Sequence, residues 1–482
     1  MSKYYVTIGL EMHCEGSETN SKVFSSGRNE YNDEPNVNVS PVDMAFPGIL
    51  PVVNKKAVEQ SIMMASILHA RIPEYMYFER KNYYYPDLPK GFQLTQNPPE
   101  ECVGNGGYID IEREDGSTFR VDIDNLHLEE DAAQLTHLYD TSTINYNRAG
   151  VPLFELVTTP CLHSADDAVT YLEYIRAIYQ YCGISTADSK KGQIRCDVNI
   201  SISDDPNTLG TKVEIKNVNS FSGVRDAINY EIQRQSDLKD DGRYDEEVEQ
   251  ETRRWDESTM STVRMRSKVD AIDYKYFVEP NIPRFKIDEE WVKKIQASIP
   301  ELPYERKEKY MSELGLSAYD AGIIIKEKLT ADYFEECVSL GMDPKTAANW
   351  ICTQILGYIY QEEIGIDELY LTPSRLNQIT EAVKKGEISS KQAKEVFAKT
   401  LEEKDEPNNI MEKYGIKQMS DDGALLDIVI KVLDNSESQI NQYKDGQTNL
   451  FNYFVGQVMK ETKGQANPVK LKEMLDQELA KR

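Results

Sequence analysis

Residues 5 to 15 read YVTIGLEMHCE, and their two-residue period restricts the fold more than any other feature of the chain. Val6, Ile8, Leu10 and Met12 fall on alternate positions, with Glu11, His13 and Glu15 among the positions between. Alternate side chains of a strand share a face. The segment is therefore predicted to be a strand with an apolar face turned to a core. Its opposite face carries a carboxylate, an imidazole and a second carboxylate in a row.

Two other segments supply groups of the same kind. HLEEDA brings His127, Glu129, Glu130 and Asp131, and VPLFELV places Glu155 between Phe154 and Leu156. A carboxylate in so apolar a run is costly to bury unless a cation meets it. Carboxylates joined by one imidazole suit an oxygen-preferring divalent ion such as Mg²⁺ or Mn²⁺ better than structural zinc. The competing reading is a solvated strand face with ordinary surface acids.

Through about residue 290 the pattern is α+β. The β-rich runs YYVTIGL, GGYIDIE, STFRVDIDNL and DVNISIS alternate with turn signals, and helices are expected over about 55–68, from Ser164 to Cys182, and over about 223–238. Neighbouring strands broken by few helices predict an antiparallel or mixed sheet. Past VEPNIPRF the chain turns helical, with Asp343-Pro344 and Thr372-Pro373 each written as an N-cap followed by proline. The acidic stretch EEKDEPNN is expected to be a linker. Beyond it, NLFNYFVGQVMK sets Leu450, Phe451, Phe454, Val455, Val458 and Met459 on one face of a helix, and Asn467-Pro468 starts another. The expected domains are 1–294, an all-α 295–406, and a small helical tail at 407–482.

The formal charge of −27 argues against nonspecific coating of nucleic acid. The tail from Pro407 holds 10 basic and 11 acidic residues, leaving −26 on the rest, so it is the part least repelled by a polyanion. Seven scattered cysteines without a CxxC pair point to reduced thiols, and the absence of a signal-peptide pattern or a long apolar run leads to the expectation of a cytoplasmic protein. No P-loop, GxGxxG, HExxH or GxSxG occurs, so any ATP site must be unconventional.

In RKNYYYPDLPKGFQLTQ, Arg80, Lys81 and Lys90 are interleaved with Tyr83, Tyr84, Tyr85 and Phe92, a composition able to hold phosphates and stack a base or ribose; a Tyr-rich loop packed on the domain fits equally. QIRCDVNISI and TKVEIKNVNS each give a polar strand face, with Arg195, Asp197 and Asn199 on one and Lys212, Glu214 and Lys216 on the other. Such faces line clefts, and more often simply meet solvent.

GLEMHCE, FPGILPVVNKKAV, RKNYYYPDLPKGFQLTQ, LHLEEDA, YNRAGVPLFELV, RCDVNIS, KVEIKNVNSF, QETRRWDE and FVGQVMKETKGQANP occur in that order, and with them essentially the whole chain resembles the B subunits of bacterial tRNA-dependent amidotransferases. The resemblance implies an N-terminal cradle domain with kinase activity, a helical domain and a small helical tail. It implies that ATP and Mg²⁺ are used to phosphorylate the side-chain carboxylate of Glu-tRNA(Gln) or Asp-tRNA(Asn). Ammonia from a glutaminase A subunit, passed through an internal tunnel, then forms the amide, and a C subunit ties the other two together. Carried over residue by residue, it places metal-binding and catalytic roles on Glu11, His13, Glu130, Glu155 and Asp197.

Arg80, Lys81 and Arg195 are candidates for ATP phosphates or the aminoacylated tRNA end, and Lys460, Lys463, Lys470 and Lys472 for tRNA phosphates. The chain departs from the family pattern at Lys190 and Lys191, where acids are usual, and at Val278 and Asn281, where proline and aspartate are usual. The alternative implied function is a tRNA-holding scaffold of the same complex that has lost phosphorylation.

Overall fold

The computed structural model describes residues 3–97, 101–113, 115–218, 220–267, 273–417, 422–444, 447–462 and 466–482. They form two compact units, Met1–Arg306 and Lys307–Arg482.

The first unit is α+β and is built on a nine-stranded mixed sheet. From one edge its strands are Ser261–Ser267, Glu251–Asp256, Val213–Val218, Ile194–Ser203, Tyr5–Glu15, Pro152–Thr158, Thr118–Glu130 and Gly104–Asn105, with Tyr108–Glu112 also paired to Thr118–Glu130. Only Val213–Val218 and Glu251–Asp256 run parallel; the remaining pairs are antiparallel. The opening strand runs down the middle, and Ile8, Leu10, Met12 and Cys14 are at most 1% exposed on its apolar face.

Helices Lys55–Ile67, Ala165–Tyr181 and Phe221–Asp240 pack on strands of this sheet and enclose the core. Their starts follow from local chemistry, because the side chains of Asn54, Ser164 and Ser220 each accept from backbone amides of the first turn. Val169, Leu172, Ile175 and Ile178 are buried on one side of the second helix, as their spacing predicts. Past the opening strand, Gly16 lets the backbone pass close to Phe154; a Cβ there would come within 2.7 Å of the ring.

A small three-stranded sheet, Phe277–Val278, Glu79–Asn82 and Phe92–Thr95, belongs to the same unit. It packs on Thr118–Glu130 through the strand Phe92–Thr95.

The second unit is helical. Asp343 and Thr372 cap their helices as expected, accepting from the amides of Thr346 and Arg375. EEKDEPNN is not an extended linker: it holds the end of helix Ser390–Glu403, a short turn, and the start of helix Pro407–Tyr414. Pro407 restarts a helix because its fixed φ suits the first helical position. The restarted helix packs on Pro373–Lys384 and Ser390–Glu403. A separate apolar core, from Leu425 to Leu479, includes the fully buried Phe454 and Val458. Among the described residues, no helix is long and apolar enough to cross a membrane.

Candidate metal and phosphoryl-transfer site

Strand register assembles the polar face. His13 lies across from Glu155 on one side and Arg195 on the other, and Glu11 lies across from Asp197. Glu155 in turn faces His127. The result is a row of functional side chains from neighbouring strands of the same sheet. His13 Nε2 is 3.6 Å from a carboxylate oxygen of Glu11 and 3.6 Å from one of Glu155. One ligand atom from each of Glu11, His13 and Glu155 lies within 4.8 Å of the others.

This cluster is short of protein partners. His13 Nδ1 and His127 Nε2 are buried without a hydrogen-bond partner. Burial pushes the Glu129 carboxyl up to about 7, helped by the negative charge of Glu155. Burial and the Glu155 charge also raise Glu11. For Glu155 burial acts in the same direction, but the His13 hydrogen bond and the charges of His13, His127 and Lys81 overcome it and hold the group at about 2. Burial works to lower His13, but its hydrogen bond to Glu155 together with the charges of Glu155 and Glu129 overcomes this and raises it, whereas burial lowers His127. Glu155 is satisfied by the two imidazoles and Lys81, but Glu11 and Glu129 are pushed toward their neutral forms by burial and by the Glu155 charge, which the nearby cations do not offset. That shortfall, and a mixed oxygen and nitrogen donor set, fit a divalent cation.

Cations flank the cluster. Lys216 Nζ is 2.6 Å from Asp197 and 3.0 Å from Glu214. Arg148 bridges Glu15 at 2.7 Å and Asp131 at 2.6 Å, and Arg195 reaches Asp131 only at 3.4 Å. Glu15 shares the face of Glu11 and His13, but an arginine occupies it. Arg195 is 41% exposed at the side chain and has donors to spare beside His13.

Two expected site residues stand elsewhere. Glu130 follows Glu129, and side chains alternate along the strand; the face that carries His127 and Glu155 therefore receives Glu129. The Glu130 carboxylate is held instead by the Lys90 ammonium and by the Leu94 amide at 2.8 Å. Arg80 is engaged too. Its guanidinium makes two bonds to the buried Glu279, 2.6 and 3.1 Å, and lies 4.1 Å from the centre of the Phe92 ring. Lys81, one residue on, points to the opposite side. Asp197 is on the right face but is already paired with Lys216. Counting parity along HLEED from His127 is the sequence signal that singles out Glu129 over Glu130.

Among the departures, Lys191 pairs with Asp188 at 3.7 Å and lies over Tyr31, Val278 is exposed on the small sheet, and Asn281 donates to Glu279. Lys460 is exposed on helix Leu450–Glu461, and Lys470 and Lys472 are exposed on helix Pro468–Lys481. Lys463 lies outside the described residues.

Comparison with known proteins bears on this arrangement. Residues 6–293 match the model of the GatB/GatE catalytic domain, and residues 332–479 match that of the GatB domain. The chain is 42% identical over 481 residues to the B subunit of the aspartyl/glutamyl-tRNA(Asn/Gln) amidotransferase of Halalkalibacterium halodurans, covering 99% of this chain and 100% of that one. The chain belongs to the family of amidotransferase B subunits.

The corresponding B subunits of Lysinibacillus sphaericus and Bacillus cereus strain AH187 are also 42% identical, over 480 and 476 residues, covering 99% and 98% of this chain and 100% and 99% of theirs. The Glu11, His13 and Glu155 cluster falls inside the span matched by the catalytic-domain model. As a member of this family, the chain works beside other subunits.

Proposed function

We propose that this chain is the ATP- and Mg²⁺-dependent kinase half of a tRNA-dependent amidotransferase, acting on Glu-tRNA(Gln) or Asp-tRNA(Asn). The observation that carries the reading is the His13 imidazole set 3.6 Å from both Glu11 and Glu155, in a half-buried, acid-rich patch. Glu11, His13 and Glu155 would hold Mg²⁺, with Glu129 beside them. When bound, Mg²⁺ would supply Lewis-acid stabilisation of the negative charge that develops on the phosphates.

The chain's own residues supply the rest. Arg195 and Lys81 hold phosphate oxygens or the aminoacyl end at the rim of the cluster. Lys216 fixes Asp197 so that its carboxylate does not swing toward the metal ligands. Phosphoryl transfer asks mainly for positioning and charge stabilisation, which this arrangement offers without a P-loop. The side-chain carboxylate of the charged amino acid attacks the γ-phosphorus of ATP and ADP leaves; ammonia then displaces phosphate from the acyl phosphate. A glutaminase A subunit supplies the ammonia and a C subunit completes the heterotrimer. The exposed lysines Lys460, Lys470 and Lys472 of the helical tail contact tRNA phosphates, and the whole assembly acts in the cytoplasm.

The test is ATP-dependent amidation of both mischarged tRNAs by the assembled complex. Glu155→Gln and His13→Ala are expected to abolish amide formation while tRNA affinity persists. Near-normal amidation by both variants would overturn the site. Intact tRNA binding without tRNA-stimulated ATP hydrolysis in the unaltered complex would favour the scaffold.

A further inference from the structure

The small sheet that carries Lys81 has two chemically different faces. Phe277 pairs with Arg80 and Val278 with Glu79 in antiparallel register. Before Phe277 the regular ladder ends, with the Asn82 amide donating to the Tyr274 carbonyl at 3.0 Å, one residue off the register, and Lys275 at a φ of +49°; the ring contacts nevertheless set Tyr274 beside Tyr83, Tyr276 and Lys81. Arg80, Phe277 and Glu279 therefore share one face, latched by the bidentate ion pair. Lys81, Tyr83, Tyr274 and Tyr276 share the other.

The tyrosine-bearing face is the one turned toward the carboxylates. Lys81 pairs with Gln93 and Glu79 with Thr95, so Gln93 and Thr95 lie on it. Gln93 donates to the Glu130 carbonyl and Thr95 donates to the Glu129 carboxylate, both at 2.8 Å. Three phenol rings stand there. Tyr83 and Tyr274 have centroids 6.0 Å apart, Tyr274 and Tyr276 6.1 Å, each pair edge to face. Lys81 Nζ lies 5.1 Å from the Tyr274 centroid and makes no hydrogen bond or ion pair among the described residues. Tyr276 is 39% exposed, so the wall is reachable from solvent. By contrast Tyr84, of the same YYY run, is 94% exposed and turned away from this group.

An open aromatic wall with an ammonium that makes no hydrogen bond or ion pair among the described residues, joined to an acidic cluster, has the chemistry of a nucleoside phosphate seat: rings stack on a base face, and the cation binds phosphate. We infer that Tyr83, Tyr274 and Tyr276 with Lys81 seat an adenosine moiety beside the carboxylate cluster. The two sources of that chemistry are ATP and the 3′-terminal adenosine that carries the aminoacyl ester. The inference rests on the kinase reading of the neighbouring cluster and adds the DYKY segment to the site.

The experiment measures KM for ATP and KM for Glu-tRNA(Gln) separately in the assembled complex, for Tyr274→Leu, Tyr276→Leu and the matching phenylalanine variants. Binding of a fluorescent ATP analogue and of labelled tRNA is measured alongside. The leucine variants are expected to raise KM and weaken binding for one of the two substrates about tenfold, a stacking-sized effect, while the phenylalanine variants stay near normal. A rise confined to ATP assigns the seat to ATP; a rise confined to tRNA assigns it to the terminal adenosine. If the folded leucine variants keep both constants, or if phenylalanine fails as badly as leucine, the seat is not there. Tyr276, being partly exposed, tolerates leucine without loss of fold and keeps the test decisive. Glu155→Gln in the same assay separates the two levels: if it too is normal, the kinase reading itself fails.

Discussion

Glu231 and Glu251 are buried in the same domain as Glu129 and Glu155, but their surroundings differ in kind. Glu231 receives Arg234, Gln235 and Thr262, with Arg253 at 3.3 Å; Glu251 receives Arg253 at 2.8 Å, Arg264 at 3.0 Å and Arg234 at 3.5 Å. Every oxygen of that pair has a donor. Around Glu11, Glu129 and Glu155 the close donors are one imidazole and the Thr95 hydroxyl, and buried imidazole nitrogens are left over. Burial alone does not separate Glu129, 3% exposed, from Glu231 and Glu251 at 0% and 4%. What separates the regions is whether the protein itself completes the charge: the first set is a closed strut, while the second leaves buried imidazole nitrogens without partners, as the proposed cation site requires.

That contrast breaks most sharply under substitution. Glu155→Gln is expected to lower amidation by roughly a hundredfold or more, the scale for removing one preorganised electrostatic group, with a stability loss smaller than that of Glu231→Ala, because the pairing of Glu155 with His13 and the nearby cations is given up while its repulsion of Glu11 and Glu129 is relieved. Glu231→Ala is expected to do the reverse. It strands buried guanidinium groups and should cost about 3–5 kcal/mol in denaturant unfolding, the cost of breaking a buried ion pair, while the molecules that stay folded keep their activity. Comparable stability losses in both variants would erase the distinction.

A second test uses the divalent ion itself. Mg²⁺ or Mn²⁺ at about 100 times its dissociation constant should stabilise the native chain by about 2.7 kcal/mol through mass action, and Glu155→Gln should lose that gain while Glu231→Ala keeps it. The check is a thermal or urea melt with and without the ion.

The pH dependence is smaller. A Glu129 carboxyl raised to about 7 means that the metal-free native state holds a proton which the unfolded chain releases near pH 4.5. Stability should therefore fall as pH rises from about 4.5 to 7. The depressed group, Glu155 at about 2, contributes stability that is present above about 4.5 and is lost as pH falls toward 2. Glu129→Gln should flatten the first slope and leave the second. Cation affinity should rise with pH through about 7, since Glu129 must shed its proton. The smallest effect is expected at Arg80. Arg80→Ala unpairs the buried Glu279 and should cost about 1–3 kcal/mol of stability, with KM for ATP nearly unchanged.

How much of this was legible in the sequence depends on which relation each residue needs. The two-residue period of residues 6–15 was enough to place Glu11 and His13 on one face, and the lone acid of VPLFELV was enough to mark Glu155, because both are local facts about a strand. Pairing is not local: that His13 meets Glu155 on one side and Arg195 on the other is set by register between strands far apart in the chain. Neighbouring charged residues misled for one reason. Arg80 and Lys81, like Glu129 and Glu130, are adjacent in sequence and opposite in space, so a motif that names both members of a pair must misplace one. Lys216 was visible as a polar strand residue, but its engagement of Asp197 was not. The helix starts at Asn54, Ser164, Asp343 and Thr372 show capping chemistry that acts within one turn, while EEKDEPNN, polar enough for a linker, is drawn into helices that pack on one another.

The central claim, that Glu11, His13 and Glu155 form a cation receptor and not a structural acid cluster, is tested most directly by counting bound Mn²⁺ by electron paramagnetic resonance in the full-length protein. The account expects a tight site in the native chain that disappears in Glu155→Gln and in His13→Ala, while Glu231→Ala retains it. Mn²⁺ binding of unchanged affinity and stoichiometry in Glu155→Gln and His13→Ala would contradict it.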